Sequence, residues 1–189
     1  MRRALLLVLL LLPAEDWKVA SPEYDWSFPR DHWAHEGYRT EWWYLTGHLG
    51  ERFAYQFTFF RIGVLRDPPE LASGWAASGF VMGHAALTDL ETGRHFFSEV
   101  LYREVPLLAH FNSFPEPRIG WSRAPAGTDG LWYLDWNGEG FDFAASDDSQ
   151  GFSFQLTTRP EKPLVFQGPN GFSRKGKGED AASHYYSFT

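Results

Sequence analysis

Cysteine is absent from this 189-residue sequence, so no disulfide can brace the fold and no lipid can be attached through an N-terminal cysteine. Positive charge is scarce as well. The formal net charge is −7, and the one basic knot, Arg174-Lys175-Gly176-Lys177, reads as a solvated loop, which argues against a nucleic-acid partner. Helical periodicity is not sustained in any window, and neither an internal repeat nor a low-complexity tract is found. Ser73, Ser78 and Ser98 lack the Gly-x-Ser-x-Gly elbow, which excludes the serine hydrolases built on that turn. His32 and His35 lie three apart without a third clear ligand, so no metal site is expected.

Long apolar runs are confined to the start of the chain. Met1-Arg2-Arg3 is a short basic head, Ala4 to Leu12 is unbroken apolar sequence, and Pro13-Ala14 closes it. A run of that length behind a positive start reads as a secretory signal peptide, because spanning a bilayer takes about 20 residues. Ala14 suits the last position of the signal, although Leu12 is bulky for the position two before it, and an uncleaved anchor is the lesser reading. Cleavage after Ala14 removes Arg2 and Arg3 and takes the net charge to −9. The chain is therefore expected in the periplasm or cell envelope, with a signal over 1–20, an extended lead-in over 21–40 and a single domain over 41–189.

What is abundant is aromatic. Phe, Trp and Tyr make up 18% of the chain, enough to build a core without cross-links. Phe53, Tyr55, Phe57 and Phe59 alternate with Ala54, Gln56 and Thr58, the period of a half-buried strand. Further strands are expected over 41–49, 80–90, 94–103, 131–137, 141–145, 152–158 and 164–167. The stretch 106–130, with Pro106, Pro115, Pro117 and Pro125, shows little strand signal. Seven or eight strands joined by hairpin turns predict an all-β, antiparallel barrel or sandwich.

Three stretches in this order carry a family resemblance: Asp31-His32-Trp33-Ala34-His35-Glu36-Gly37-Tyr38-Arg39-Thr40-Glu41-Trp42-Trp43-Tyr44, then Tyr55-Gln56-Phe57-Thr58-Phe59-Phe60-Arg61, then Gly83-His84-Ala85-Ala86-Leu87-Thr88-Asp89. The ending Gln167-Gly168, Gly171-Phe172-Ser173, Lys175-Gly176 and Tyr185-Tyr186-Ser187 adds to it. Together they resemble the N-terminal domain of the hydroxyneurosporene synthase (carotenoid 1,2-hydratase) family. The resemblance implies a lipocalin-like β-barrel, one half of a two-barrel architecture, with the second barrel missing beyond Thr189. It also implies an apolar isoprenoid- or lipid-like ligand and, in an intact protein, acid-catalysed addition of water to a carbon–carbon double bond. No cofactor is implied. A non-enzymatic lipid carrier serving an envelope exporter is the alternative, and a structural domain that docks its partner half is a third reading.

Hydrating an isoprenoid double bond needs a strong acid and aromatic faces to shelter the cation. Glu41, beside Trp42, Trp43 and Tyr44, is the candidate acid; its plain alternative is a strand glutamate paired with Arg39 or Arg61. A two-residue turn at Gly50-Glu51 would pair Leu49 with Arg52 and put Glu41, Trp43, Leu45, Gln56, Thr58 and Phe60 on one face. That face is the expected ligand wall through Trp43, Gln56, Thr58 and Phe60, unless it is merely the outer surface. His84, Tyr185 and Tyr186 complete the candidate ligand-binding set.

Overall fold

The computed structural model describes residues 17–66, 73, 75–178 and 180–188. The signal-peptide reading over Met1–Ala14 and most of the proline-containing loop after Arg66 lie outside these residues. Among them, no helix is long and apolar enough to cross a membrane.

Alternation of apolar and polar residues yields a strand wherever one face can be buried, and here it yields two antiparallel meanders. The first sheet holds β1 (Thr40–Leu49), β2 (Phe53–Gly63), β3 (Gly79–Asp89) and β4 (His95–Arg103) in sequence order. The second holds β5 (Ala109–Phe111), β6 (Arg118–Arg123), β7 (Leu131–Trp136), β8 (Phe141–Asp147) and β9 (Phe152–Thr157), again in sequence order. A single bridge, Val105 to Ala109, turns the chain from one sheet into the other. The all-β antiparallel expectation is met.

The sheets share one interior. Phe57, Phe59, Val81 and Val100 enter from the first, and Ile119, Trp132, Leu134 and Phe143 from the second. At about 1.5–3 kcal/mol for each large apolar side chain buried, this cluster is what replaces the absent disulfides. Trp132 and Trp33 keep their indole N–H groups satisfied, donating to the Ser146 and Glu116 carbonyls at 2.8 Å each. Rings from the two sheets meet in this interior, Phe57 and Phe143 with centroids 5.3 Å apart.

Two strands, β5 and β6, fall in the stretch that shows little strand signal. β5 has three residues, and a register shift between Arg118 and Gly120 breaks the alternation of β6, so neither presents a period of two. After β9 the chain makes the short strands β10 (Val165–Phe166), β11 (Phe172–Arg174), β12 (Ala182–His184) and β13 (Tyr186–Ser187), paired as β10 with β13 and β11 with β12. This tail packs against the lead-in. Trp26 donates its indole N–H to the Asn170 carbonyl at 3.1 Å, and Asn170 donates its amide to the Tyr24 carbonyl at 2.8 Å.

One expectation is corrected. Leu49 faces Phe53, not Arg52, so the β1–β2 loop has three residues, Gly50-Glu51-Arg52, with Gly50 at φ 60°. Arg52 lies outside the β1–β2 ladder and has long-range partners. Its guanidinium pairs with Asp89 at 2.9 Å, and its carbonyl accepts the Leu90 N–H at 2.7 Å. A slip of one residue exchanges faces. Trp42 therefore opposes Phe60 and Tyr44 opposes Thr58, while Glu41 opposes Arg61 and Trp43 opposes Phe59.

Candidate functional site

The corrected register assembles a groove on the outer face of the first sheet, about 260 Å³ in volume. β1 gives Trp42 and Tyr44, β2 gives Gln56, Thr58 and Phe60, β3 gives His84, and Tyr185 leans in from the tail between β12 and β13. Two cross-strand rows form its floor: Trp42 beside Phe60, and Tyr44 beside Thr58 beside His84. The Phe60 and His84 rings sit 5.6 Å apart, and Trp42 and Tyr185 sit 6.2 Å apart. Lys175 holds its ammonium 5.1 Å from the Tyr185 ring centroid, a cation–π contact that fixes that ring over the groove. The Thr58 hydroxyl is buried and has no hydrogen-bond partner among the described residues, a cost of about 1–3 kcal/mol that a polar atom placed in the groove could relieve.

Five of the expected ligand residues thus come together: Gln56, Thr58, Phe60, His84 and Tyr185. Two do not. Trp43 points to the inner face, stacks on Phe111 at 4.6 Å and donates its indole N–H to the His32 carbonyl at 2.8 Å. Tyr186 is pinned to the lead-in, its hydroxyl 2.7 Å from His32 Nδ1 and donating to the Asp31 carbonyl at 3.2 Å. Trp42 and Tyr44, which a two-residue turn would put on the face opposite Gln56, Thr58 and Phe60, line the groove beside them. The loop length between β1 and β2 was the signal that could have found them.

A second depression, a cleft of about 1050 Å³, runs along β1 between the lead-in, the tail and the residues that follow β9. Glu41 lies in its wall, in a cluster with Asp31, His35 and Tyr24. The Glu41 carboxylate accepts the His35 backbone N–H at 2.9 Å, meets His35 Nδ1 at 2.8 Å and pairs with the Arg61 guanidinium at 3.5 Å. His35 Nε2 lies 3.2 Å from Asp31 Oδ1 and 3.3 Å from the Tyr24 hydroxyl. A ring with a carboxylate at each nitrogen is satisfied as the doubly protonated imidazolium. Burial alone would disfavour that charge, but the hydrogen bonds and charges of Glu41 and Asp31 outweigh it and raise the His35 pKa.

His32 has the opposite fate. It is buried against Trp136, Phe141 and Phe188, and burial lowers its pKa to about 4 despite the nearby charge of Asp31. The two histidines face different partners, and among the described residues no group of three or more His, Cys, Asp or Glu side chains could hold a metal ion. Burial also raises the Tyr186 and Tyr24 phenols, so both remain protonated donors.

Comparison with known proteins fits this architecture. No curated protein matches the chain. A solved structure of a Nitrosomonas europaea protein provisionally named AttH superposes with a TM-score of 0.57 at 28% identity. The superposition covers 89% of this chain but 48% of that one, so the chain spans about half the length of the protein it matches. The AttH-like family model matches residues 19–189, the whole of both sheets and the tail, and the chain belongs to the AttH-like family.

Proposed function

We propose that the groove over β1, β2 and β3 binds an apolar, isoprenoid- or lipid-like ligand and that the chain serves as a ligand-binding domain of the cell envelope. The observation that supports this is the convergence, on a water-facing sheet, of Trp42, Phe60 and Tyr185 with the few polar groups of Gln56, Thr58 and His84. Apolar lining with sparse polar groups is the ordinary composition of small-molecule sites. The groove is shorter than a polyene, but the same face continues through Phe80, Phe97 and Leu101, which are 37%, 46% and 62% exposed. An elongated chain can lie across them.

Binding without turnover is the reading the geometry favours. Glu41, the candidate acid for water addition, projects from the opposite face of β1 and is engaged by His35 and Arg61. A ligand in the groove would lie beyond its reach. Carotenoid hydration therefore takes second place to a carrier role, in which an envelope exporter is the partner that would hand over or receive the ligand. The test is titration of the full chain with cis-parinaric acid, read by energy transfer from tryptophan. Phe60→Ala and Tyr185→Ala should each weaken binding about 10- to 100-fold, the loss expected for one buried aromatic contact. Undiminished binding in both variants would remove the groove from consideration.

A further inference from the structure

β1 is the outermost strand of the first sheet and pairs with β2 on one side only. In an antiparallel pair, alternate residues turn both backbone groups toward the partner strand, and the residues between them turn both away. The phase is set at the end of the hairpin. Gly63 donates its N–H to the Arg39 carbonyl, one step beyond the Thr40–Ile62 pair. Arg39, Glu41, Trp43 and Leu45 are thus the residues bonded to β2. The N–H and C=O groups of Thr40, Trp42, Tyr44, Thr46 and His48 point off the edge. All five line the cleft, and among the described residues none of these backbone groups has a hydrogen-bond partner.

Natural sheets blunt such edges with proline, lysine, a bulge or a covering segment. β1 has no proline and no lysine, its one inward carboxylate, Glu41, is paired with Arg61, and its register with β2 runs without a shift for ten residues. The cleft keeps the edge uncovered while the lead-in and tail wall it on either side. An apolar small molecule would fill that space but leave the row of donors and acceptors unmet. Only an extended polypeptide repeats N–H and C=O groups at the spacing of every second residue, about 6.6 Å.

We propose that the free edge of β1 accepts an extended segment of another polypeptide as an added strand, seated in the cleft between the lead-in and the tail. From Thr40 to His48 the edge accommodates about eight residues at ~3.3 Å each. Alternate side chains of the incoming segment would fall beside Trp42 and Tyr44 on the outer face and beside Trp43 and Leu45 on the inner one. The partner is therefore a segment with apolar or β-branched residues on both faces. This site is separate from the apolar-ligand groove, although Trp42, Tyr44 and Tyr185 border both.

The backbone phase supplies a selective test. Thr46→Pro removes an N–H that points off the edge and spares the ladder to β2, so the fold should survive. Thr46→Ala is the control, because it loses the hydroxyl bonded to the Tyr55 carbonyl yet keeps the N–H. The probe is a fluorescein-labelled decapeptide of alternating valine and threonine with a lysine at each end, titrated against the full chain by anisotropy. Saturable one-to-one binding is expected, with hydrogen exchange at Trp42, Tyr44 and Thr46 slowed at least tenfold. Thr46→Pro should weaken the peptide at least tenfold, Thr46→Ala less than twofold, and neither should change cis-parinaric acid binding by more than twofold. The proposal is overturned by an absence of saturable binding up to millimolar peptide, by equal binding to Thr46→Pro, or by protection that maps away from β1. A dimer of the full chain that Thr46→Pro dissolves, with no peptide binding, would overturn it in favour of a second copy as the occupant.

Discussion

Trp42 and Trp43 are neighbours in sequence, and the structure sends them to opposite sides of the first sheet, so removing each should produce a different loss. Trp43 is half-buried, stacked on Phe111 at 4.6 Å, and its indole N–H satisfies the His32 carbonyl. Full truncation of a core tryptophan costs about 3–5 kcal/mol. Partial burial reduces that, and the stranded carbonyl adds about 1 kcal/mol, so Trp43→Ala should cost roughly 3–4 kcal/mol. At about 2–4 °C per kcal/mol for a domain of this size, the melting temperature should fall by roughly 6–16 °C. Trp42 touches Tyr185 across 6.2 Å and otherwise faces the groove. Its loss should cost about 0.5–1.5 kcal/mol, or at most ~6 °C, while weakening cis-parinaric acid about tenfold. Circular-dichroism melts and fluorescence titrations on both variants give the four numbers required. A larger melting-temperature drop for Trp42→Ala than for Trp43→Ala, or equal effects on binding, would mean that the register of β1 on β2 is wrong.

Two histidines should carry opposite pH dependences. The His35 pKa is raised above 6.5, so its contribution is complete below that value and lost as pH rises through the folded pKa; a His35→Gln variant should lose this dependence in melts from pH 6 to 9. The His32 pKa is lowered from 6.5 to about 4, so its contribution is present above 6.5 and disappears as pH falls toward 4. That is about 3 kcal/mol in all, visible as a Cε1–H resonance that stays in the neutral position to pH 5. A Cβ at Gly83 would meet Phe59 and Val100, each at 2.9 Å, so Gly83→Ala should overpack the core and destabilise by about 1–3 kcal/mol in denaturant titration.

The long strands were legible because alternation survives in them: the predicted bounds of β1, β3 and β7 fall within one residue of those observed. The face assignment was not, because it turned on whether Arg52 belongs to the strand or the loop. In the fold Arg52 sits in the loop and pairs with Asp89, thirty-seven positions away, which no local pattern records. The pairing of Glu41 with Arg61 matches the plain alternative read for that glutamate, although the two stand opposite one another only in the observed register. The rest of its setting was hidden. Residues 24–38 read as irregular lead-in, yet Tyr24, Trp26, Asp31 and His35 build one wall of the cleft by packing on the tail more than 140 positions later. No local periodicity records such a contact.

The claim that an apolar ligand lies on the outer face of the first sheet is tested most directly by photolabelling. The full chain is irradiated with a diazirine-bearing fatty acid, and the adducts are mapped by mass spectrometry. The account predicts adducts on Trp42, Phe60, His84 and Tyr185, competed away by cis-parinaric acid. Adducts concentrated on Glu41, Trp43 and Leu45, or scattered without competition, would contradict it.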